Sequence, residues 1–432
     1  MRGLTRRDYR TLLLAALGGA LEFYDFIIFV FFALVIGKLF FPPDTPEWLR
    51  QAQTFGIFAA GYLARPLGGI VMAHFGDLLG RKRMFMLSII LMSLPTLAIG
   101  LLPTYAVIGM WAPLLLLLLR VLQGAALGGE VPGAWVFVAE HVPPRHIGFA
   151  CGTLTAGLTS GILLGSLVAT GINKLFTPDE LLTHGWRIAF ILGGAFGLVS
   201  LWLRTWLHET PVFKEMQARR ELACELPLKT VIRAHRPAVV LTMLMTWLLS
   251  AAIVVMILMT PTLVQKLYAI PAATALQANS IATLCLSLGC ILFGALADRF
   301  GPGRVLLIGC AALGVSAGVF YQQMAVAPQN INALYAWCGF CVGVVGVVPG
   351  TAVRVFPAAV RFSGLSFSYN VAYALCGGLT PVLVSMVLVA DPLAPAHYVE
   401  ALSVLGMALG VYLWRRDRAG VNDGLTPHPH HP

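Results

Sequence analysis

Ala73-His74-Phe75-Gly76-Asp77-Leu78-Leu79-Gly80-Arg81-Lys82-Arg83 is a short polar turn between two long apolar runs. Its plan returns in the second half of the chain as Gly294-Ala295-Leu296-Ala297-Asp298-Arg299-Phe300-Gly301-Pro302-Gly303-Arg304. In both, glycines permit a tight link, an aspartate stands near a helix end and basic residues follow. A second echo pairs Val142-Pro143-Pro144-Arg145 with Phe356-Pro357-Ala358-Ala359-Val360-Arg361, and the longest polar stretch, His208 to Arg236, separates the copies. Corresponding loops in corresponding halves predict a duplicated helical unit.

Hydrophobic residues make up 58% of the 432 positions and charged residues 11%, whereas a soluble domain runs near ~45 to 50% and ~25%. An ordinary soluble enzyme is excluded. Cut at turn signals and charge clusters, the chain leaves twelve runs long enough for the ~20 residues a bilayer core demands. They lie near 11–36, 51–73, 84–103, 107–135, 147–172, 186–206, 237–260, 275–297, 304–324, 332–355, 364–389 and 397–414. The expected fold is all-α and integral to the membrane, with twelve transmembrane helices in two pseudo-symmetric six-helix bundles. Residues 1–207 form the N-terminal bundle, 208–236 a cytoplasmic linker, 237–418 the C-terminal bundle and 419–432 a short cytoplasmic tail.

A net charge of +10 raises a nucleic-acid partner, but the basic residues sit between apolar runs rather than along one face. Twenty-two of the 29 Lys and Arg fall in loops on the side of the N-terminus and five on the other, so the positive-inside rule puts both termini in the cytoplasm. The basic start MRGLTRRDYR is read as leading into the first span and not a signal peptide, because the run that follows is long and carries Glu22 and Asp25. Six of eight cysteines fall within C-terminal spans, which gives no disulfide framework. Trp337-Cys338-Gly339-Phe340-Cys341 imitates a redox string but has no preceding strand, and the terminal histidines His428, His430 and His431 read as a tail rather than a metal site. No nucleophile and base pair, metal-ligand spacing or phosphate loop stands out, so neither an enzyme nor a cofactor is expected.

An ionised residue inside a span costs about 2.5 to 3.5 kcal/mol and needs a partner, a wet cavity or a function. Glu22 and Asp25 on span one, Arg65 on span two, and Arg120 and Glu130 on span four are such residues, all in the first bundle. Glu22, Asp25, Phe29 and Phe32 read as one stripe of span one, and Arg120, Gln123, Leu127 and Glu130 as one face of span four. Counted along the helices, the acids and Arg120 reach the middle third of the bilayer and are expected to share a cavity. Asp25, then Glu22, with Glu130, form the expected proton-coupling set. Arg65, Arg120 and Gln123 form the expected substrate site, facing Tyr369, Asn370 and Tyr373 on span eleven. A permanent ion pair and plain helix packing are the plainer readings. At the cytoplasmic side, Asp77, Arg81, Arg83, Glu140 and Arg145 in the first half, and Asp298, Arg299, Arg304 and Arg361 in the second, are expected to form a charge latch. The plainer alternative is that they only set topology.

These loops resemble the signature loop of the major facilitator superfamily. Gly19-Ala20-Leu21-Glu22-Phe23-Tyr24-Asp25-Phe26, Phe58 to Gly69, Arg120 to Glu130, Gly185-Trp186-Arg187, Glu209-Thr210-Pro211-Val212-Phe213 and Tyr369-Asn370-Val371-Ala372-Tyr373 resemble its metabolite:proton symporter family, in order along the chain. Ala73 and Leu78 depart from the usual glycine and basic residue of the first loop. The resemblance implies proton symport by rocking of two bundles about a central site in a bacterial inner membrane. The expected substrate is a small organic anion, carried with protons by a monomer in the lipid bilayer with no nucleic-acid partner. A zwitterionic osmolyte of the proline or betaine type is the alternative, set second because osmosensing relatives tend to carry a long C-terminal extension. An exporter of a carboxylate-rich metabolite or siderophore and a non-transporting membrane sensor are further readings. Span five lacks the Gly-Pro pair of drug exporters, which favours uptake.

Overall fold

The computed structural model describes residues 3–206, 215, 227–388 and 390–418, with a few side chains, Asp77 and Arg81 among them, outside that description. No strand occurs among the described residues, and twelve helices are long and apolar enough to cross a membrane. They are spans one to six, Arg6–Phe31, Gly56–Gly76, Lys82–Leu101, Trp111–His141, Pro144–Leu175 and Pro178–Leu203, and spans seven to twelve, Arg236–Tyr268, Thr274–Phe300, Pro302–Val326, Pro328–Arg354, Ala358–Leu388 and Ala394–Arg418. Helix is the form that satisfies every backbone donor within a segment surrounded by lipid. The outward rows are apolar, with Leu63 67%, Leu67 70% and Ile308 71% exposed.

Observed spans follow the expected order, but several run further. Span four continues six residues past the expected end at 135 to His141. Hydrophobicity marks only the part of a helix inside hydrocarbon, while backbone hydrogen bonding carries the helix beyond it. That extension places Glu140 at the membrane face where the chain starts, called here the termini face because twelve crossings return the C-terminus to it. Both signature loops turn on a glycine of positive φ, Gly80 at 114° and Gly301 at 87°, each with ψ 143°. A conformation with φ in this range favours glycine, and its recurrence marks the duplication in the backbone itself.

Within the first bundle, spans two and four touch backbone to backbone. A Cβ on Gly124 would lie 1.8 Å from the Gly61 carbonyl oxygen, and one on Gly128 2.0 Å from that of Arg65. Span five presents Gly157 and Gly161 to Ala16 and Ala20 of span one, and Gly148 and Gly152 to Gly294 and Cys290 of span eight. The halves also meet at mid-depth, where the Thr159 and Ser287 hydroxyls lie 2.7 Å apart, and along spans two, four and eleven. The stretch expected as a polar linker holds a described helix, Pro227–Ala234, with Val231 fully buried. The terminal histidines and Cys224 lie outside the described residues.

Candidate functional site

Two arginines stand in the interior of the first bundle with aromatic rings where counter-ions would be expected. Arg120 is fully buried, and its guanidinium carbon lies 4.6, 4.4 and 5.3 Å from the ring centres of Phe26, Phe29 and Phe58. Arg65, 1% exposed, lies 5.6, 5.4 and 4.3 Å from the rings of Tyr62, Tyr369 and Tyr373. Ring contacts join the two cages, with Phe58 and Tyr62 5.0 Å apart and Tyr62 stacked on Tyr373 across the two halves at 5.7 Å. A cation on an aromatic face gains ~0.5 to 2 kcal/mol, more when desolvated, which offsets part of the burial cost.

On both arginines Nε and Nη2 make no hydrogen bond of acceptable geometry among the described residues. Those two atoms form one edge of the guanidinium fork, the edge that binds a carboxylate through two parallel bonds. Arg120 is oriented from its other side. Its Nη1 donates to Gln123 Oε1 at 2.9 Å and, more weakly, to the Phe26 carbonyl at 3.5 Å, while Gln123 Nε2 donates to Thr96 Oγ1 at 2.6 Å.

The acids do not stand where the stripe reading expects them. Asp25 is fully buried, neither carboxyl oxygen has a hydrogen-bond partner, and it makes no ion pair with Arg120 among the described residues. It faces spans three and six, since a Cβ on Gly193 would lie 2.7 Å from both Asp25 Oδ1 and Thr96 Cγ2. Glu22 accepts from Ser200 of span six and Glu130 from Ser88 of span three. Phe26 and Phe29, not the acids, are what span one turns toward Arg120, while Phe32 packs on Phe190 of span six. A three-residue step rotates a helix by about 300°, so Glu22 and Asp25 share a side, but the stripe that includes them and Phe29 is too broad to face one neighbour.

On span eleven, Tyr369 and Tyr373 hold Arg65, while Asn370 Nδ2 donates to the Gly128 carbonyl at 2.6 Å and to the Ser366 carbonyl at 2.8 Å and its Oδ1 is buried without a hydrogen-bond partner among the described residues. The expected latch residues make one ion pair across the halves and one within the second half that reaches the first through backbone amides. Arg361 meets Glu140 at 3.1 Å in full burial. Asp298 accepts from the Gly148 and Phe149 amides, at 2.8 and 2.7 Å, at the start of span five, and pairs with Arg354 at 2.7 Å. Arg299 and Arg304 lie instead against the Phe300 and Trp414 rings, Arg145 donates to His146, and Arg83 is exposed. The side chains of Asp77 and Arg81 lie outside the described residues. Sequence reasoning missed Arg354, Thr96, Ser88, Ser200 and the cage rings Phe26, Phe58 and Tyr62. For the rings a signal existed, because Phe58, Tyr62 and Arg65 recur at helical spacing.

Twelve apolar spans in two duplicated halves, with caged arginines in the first and one of the cages completed by the second, define a membrane transporter. The family model of the Major Facilitator Superfamily matches residues 15–381, and the chain belongs to that superfamily. It is 31% identical over 422 residues to a proline/betaine transporter of Salmonella typhimurium, covering 92% of this chain and 81% of the relative. It is 30% identical over 426 residues to the glycine betaine/proline/ectoine/pipecolic acid transporter OusA of Dickeya dadantii, covering 92% and 82%. The fold also matches the proton:xylose symporter XylE bound to 6-bromo-6-deoxy-D-glucose, with a TM-score of 0.79 at 17% identity over 94% of this chain and 95% of that one.

Proposed function

We propose that this transporter takes up a small zwitterion of the proline or betaine type together with protons. The observation that carries the reading is the pair of aromatic-caged arginines with matching unpaired edges. A carboxylate suits the Nε and Nη2 edge of Arg120, and the tyrosine faces that stack on Arg65 suit an alkylated ammonium equally well. The names of the two relatives favour this alternative over the organic-anion reading that the charges alone suggest.

Asp25 is the proton carrier in this scheme. An ionised carboxylate without a partner in the bilayer interior is costly, and such a group takes up a proton instead. In this reading the gate is the Arg361–Glu140 pair together with Asp298, which is braced by Arg354 and accepts from the Gly148 and Phe149 amides of the other half; these contacts join the halves at the termini face. The excess of basic residues assigns that face to the cytoplasm, so uptake starts from a state closed inward. The protein works as a monomer in the bacterial inner membrane.

The test is uptake into proteoliposomes of radiolabelled proline, glycine betaine, citrate and 2-oxoglutarate, with and without an imposed pH gradient. Gradient-dependent accumulation of proline or glycine betaine is expected. Accumulation of citrate or 2-oxoglutarate alone would return the substrate to the organic acids.

A further inference from the structure

Thr96 of span three stands between the buried acid and the arginine. Its Oγ1 accepts from Gln123 Nε2 at 2.6 Å and donates to the Met92 carbonyl at 2.9 Å. Its methyl is turned to the other side, where the position of a Cβ on Gly193 lies 2.7 Å from Thr96 Cγ2 and 2.7 Å from Asp25 Oδ1. The side chain thus shows its hydroxyl to the arginine relay, while its methyl and the Asp25 carboxyl flank the same face of Gly193. Threonine in a helix has two favoured rotamers, because its hydroxyl bonds back to a preceding carbonyl. A turn about χ1 changes which group faces Asp25.

We infer that Thr96 is a two-position element that couples the protonation of Asp25 to the orientation of Arg120; the inference rests on the reading of Asp25 as proton carrier. With Asp25 neutral, a methyl neighbour is tolerated. The Thr96 hydroxyl then holds Gln123, Gln123 holds Arg120 Nη1, and the unpaired edge of Arg120 is presented in a fixed direction. When Asp25 releases its proton, the buried charge requires a donor. The Thr96 hydroxyl turns to it, Gln123 loses its acceptor, and Arg120 loses the bond that aims it. Affinity for a carboxylate falls with the proton's departure. Proton and substrate therefore favour each other, by the same factor in both directions, which is the sign symport needs.

The other groups around Asp25 leave this role open. On its own helix are Tyr24, which donates to the Ala189 carbonyl at 2.8 Å, and Glu22, which is held by Ser200. Span four carries Arg120, which is turned into its ring cage, and Glu130, which is held by Ser88. Span six brings Gly193 and Gly197 at this level, and span five packs on span one through Gly157 and Gly161. Span three adds Ser93, whose hydroxyl sits against Gly197, one helical turn from Gly193.

Thr96→Val keeps the shape and removes the hydroxyl, and Thr96→Ser keeps the hydroxyl. In proteoliposomes loaded for proline or glycine betaine uptake, the wild-type KM is expected to rise as external pH rises. For Thr96→Val the KM at acid pH should be about five- to tenfold higher and flat with pH, while exchange without a gradient persists at saturating substrate. Thr96→Ser should restore the slope. A Thr96→Val protein with the wild-type slope overturns the inference. If valine yields no folded protein, Thr96→Ala removes the same hydroxyl and reads the same slope. Asp25→Asn run in parallel separates the two claims: a retained slope there removes the proton-carrier reading, whereas a slope lost in Asp25→Asn but kept in Thr96→Val removes only the role of Thr96.

Discussion

Arg120 carries a charge that a bilayer interior penalises, and it has no carboxylate partner among the described residues. The rings of Phe26, Phe29 and Phe58, the bond to Gln123 and a weaker one to the Phe26 carbonyl hold it in place instead. Such a residue is poised for an anion from outside the protein. Replacing it tests the fork geometry and not merely the charge: Arg120→Lys retains a cation but loses the two-bond edge. Its KM for proline or glycine betaine is expected to rise about 10- to 100-fold, in line with the ~1.5 to 3 kcal/mol of a charge-assisted bond. An unchanged KM would place the carboxylate elsewhere. Tyr373→Leu probes the other end of the ligand. It should weaken glycine betaine about 5- to 30-fold by competition uptake, the ~1 to 2 kcal/mol of a cation on an aromatic face.

Helix pairs transmit these side-chain events because their backbones lie in contact. Spans two and four carry Arg65 and Arg120 and are locked by Gly61 against Gly124 and by Arg65 against Gly128. Gly124→Ala would drive a methyl onto a carbonyl oxygen, an overpacking cost at or above the upper end of ~1 to 3 kcal/mol. Thermal unfolding in detergent should show a clearly lowered melting temperature and reduced folded yield. At the termini face, the buried Arg361–Glu140 pair joins span eleven to span four. Removing one partner of such a pair strands the other and costs ~3 to 5 kcal/mol in the state that buries it. Arg361→Ala should therefore shift the population toward the state open at that face. Faster labelling of an engineered cysteine in the inter-half crevice, by a membrane-impermeant thiol reagent in inside-out vesicles, is the expected readout.

At the level of the whole molecule, the distribution of basic residues makes a topological prediction. In a cysteine-depleted background, Gly3→Cys should react with an impermeant thiol reagent only from the cytoplasmic side and Asp391→Cys only from outside. Labelling of both from one side would contradict the eleven crossings that separate Gly3 from Asp391. Twelve spans, their order, the duplication and the N-terminal location of the charges deep within the spans were all legible in the sequence. Those features depend on local hydrophobic length and on loop residues that each half carries for itself. The partners of the charges were not legible. Glu22, Asp25 and Glu130 each turn to spans three or six, and spacing along one helix says nothing about the rotation of that helix against its neighbours. Arg354 was counted only for topology, because its partner Asp298 lies in another loop of the same half and both act at the start of span five in the other. Asn370 divides its amide in a way spacing does not show, with Nδ2 given to the Gly128 carbonyl across the halves and Oδ1 buried without a hydrogen-bond partner among the described residues.

By itself, then, the sequence determined that this chain spans a membrane twelve times as two related halves, because lipid forces apolar helices of one length and duplication leaves matching loops. Only the tertiary structure decided that the arginines rest in aromatic cages, that the acids face away from them, and that the buried Arg361–Glu140 pair bridges the halves. Which side chains meet across helices depends on axial rotation and close backbone packing, quantities that no single segment contains.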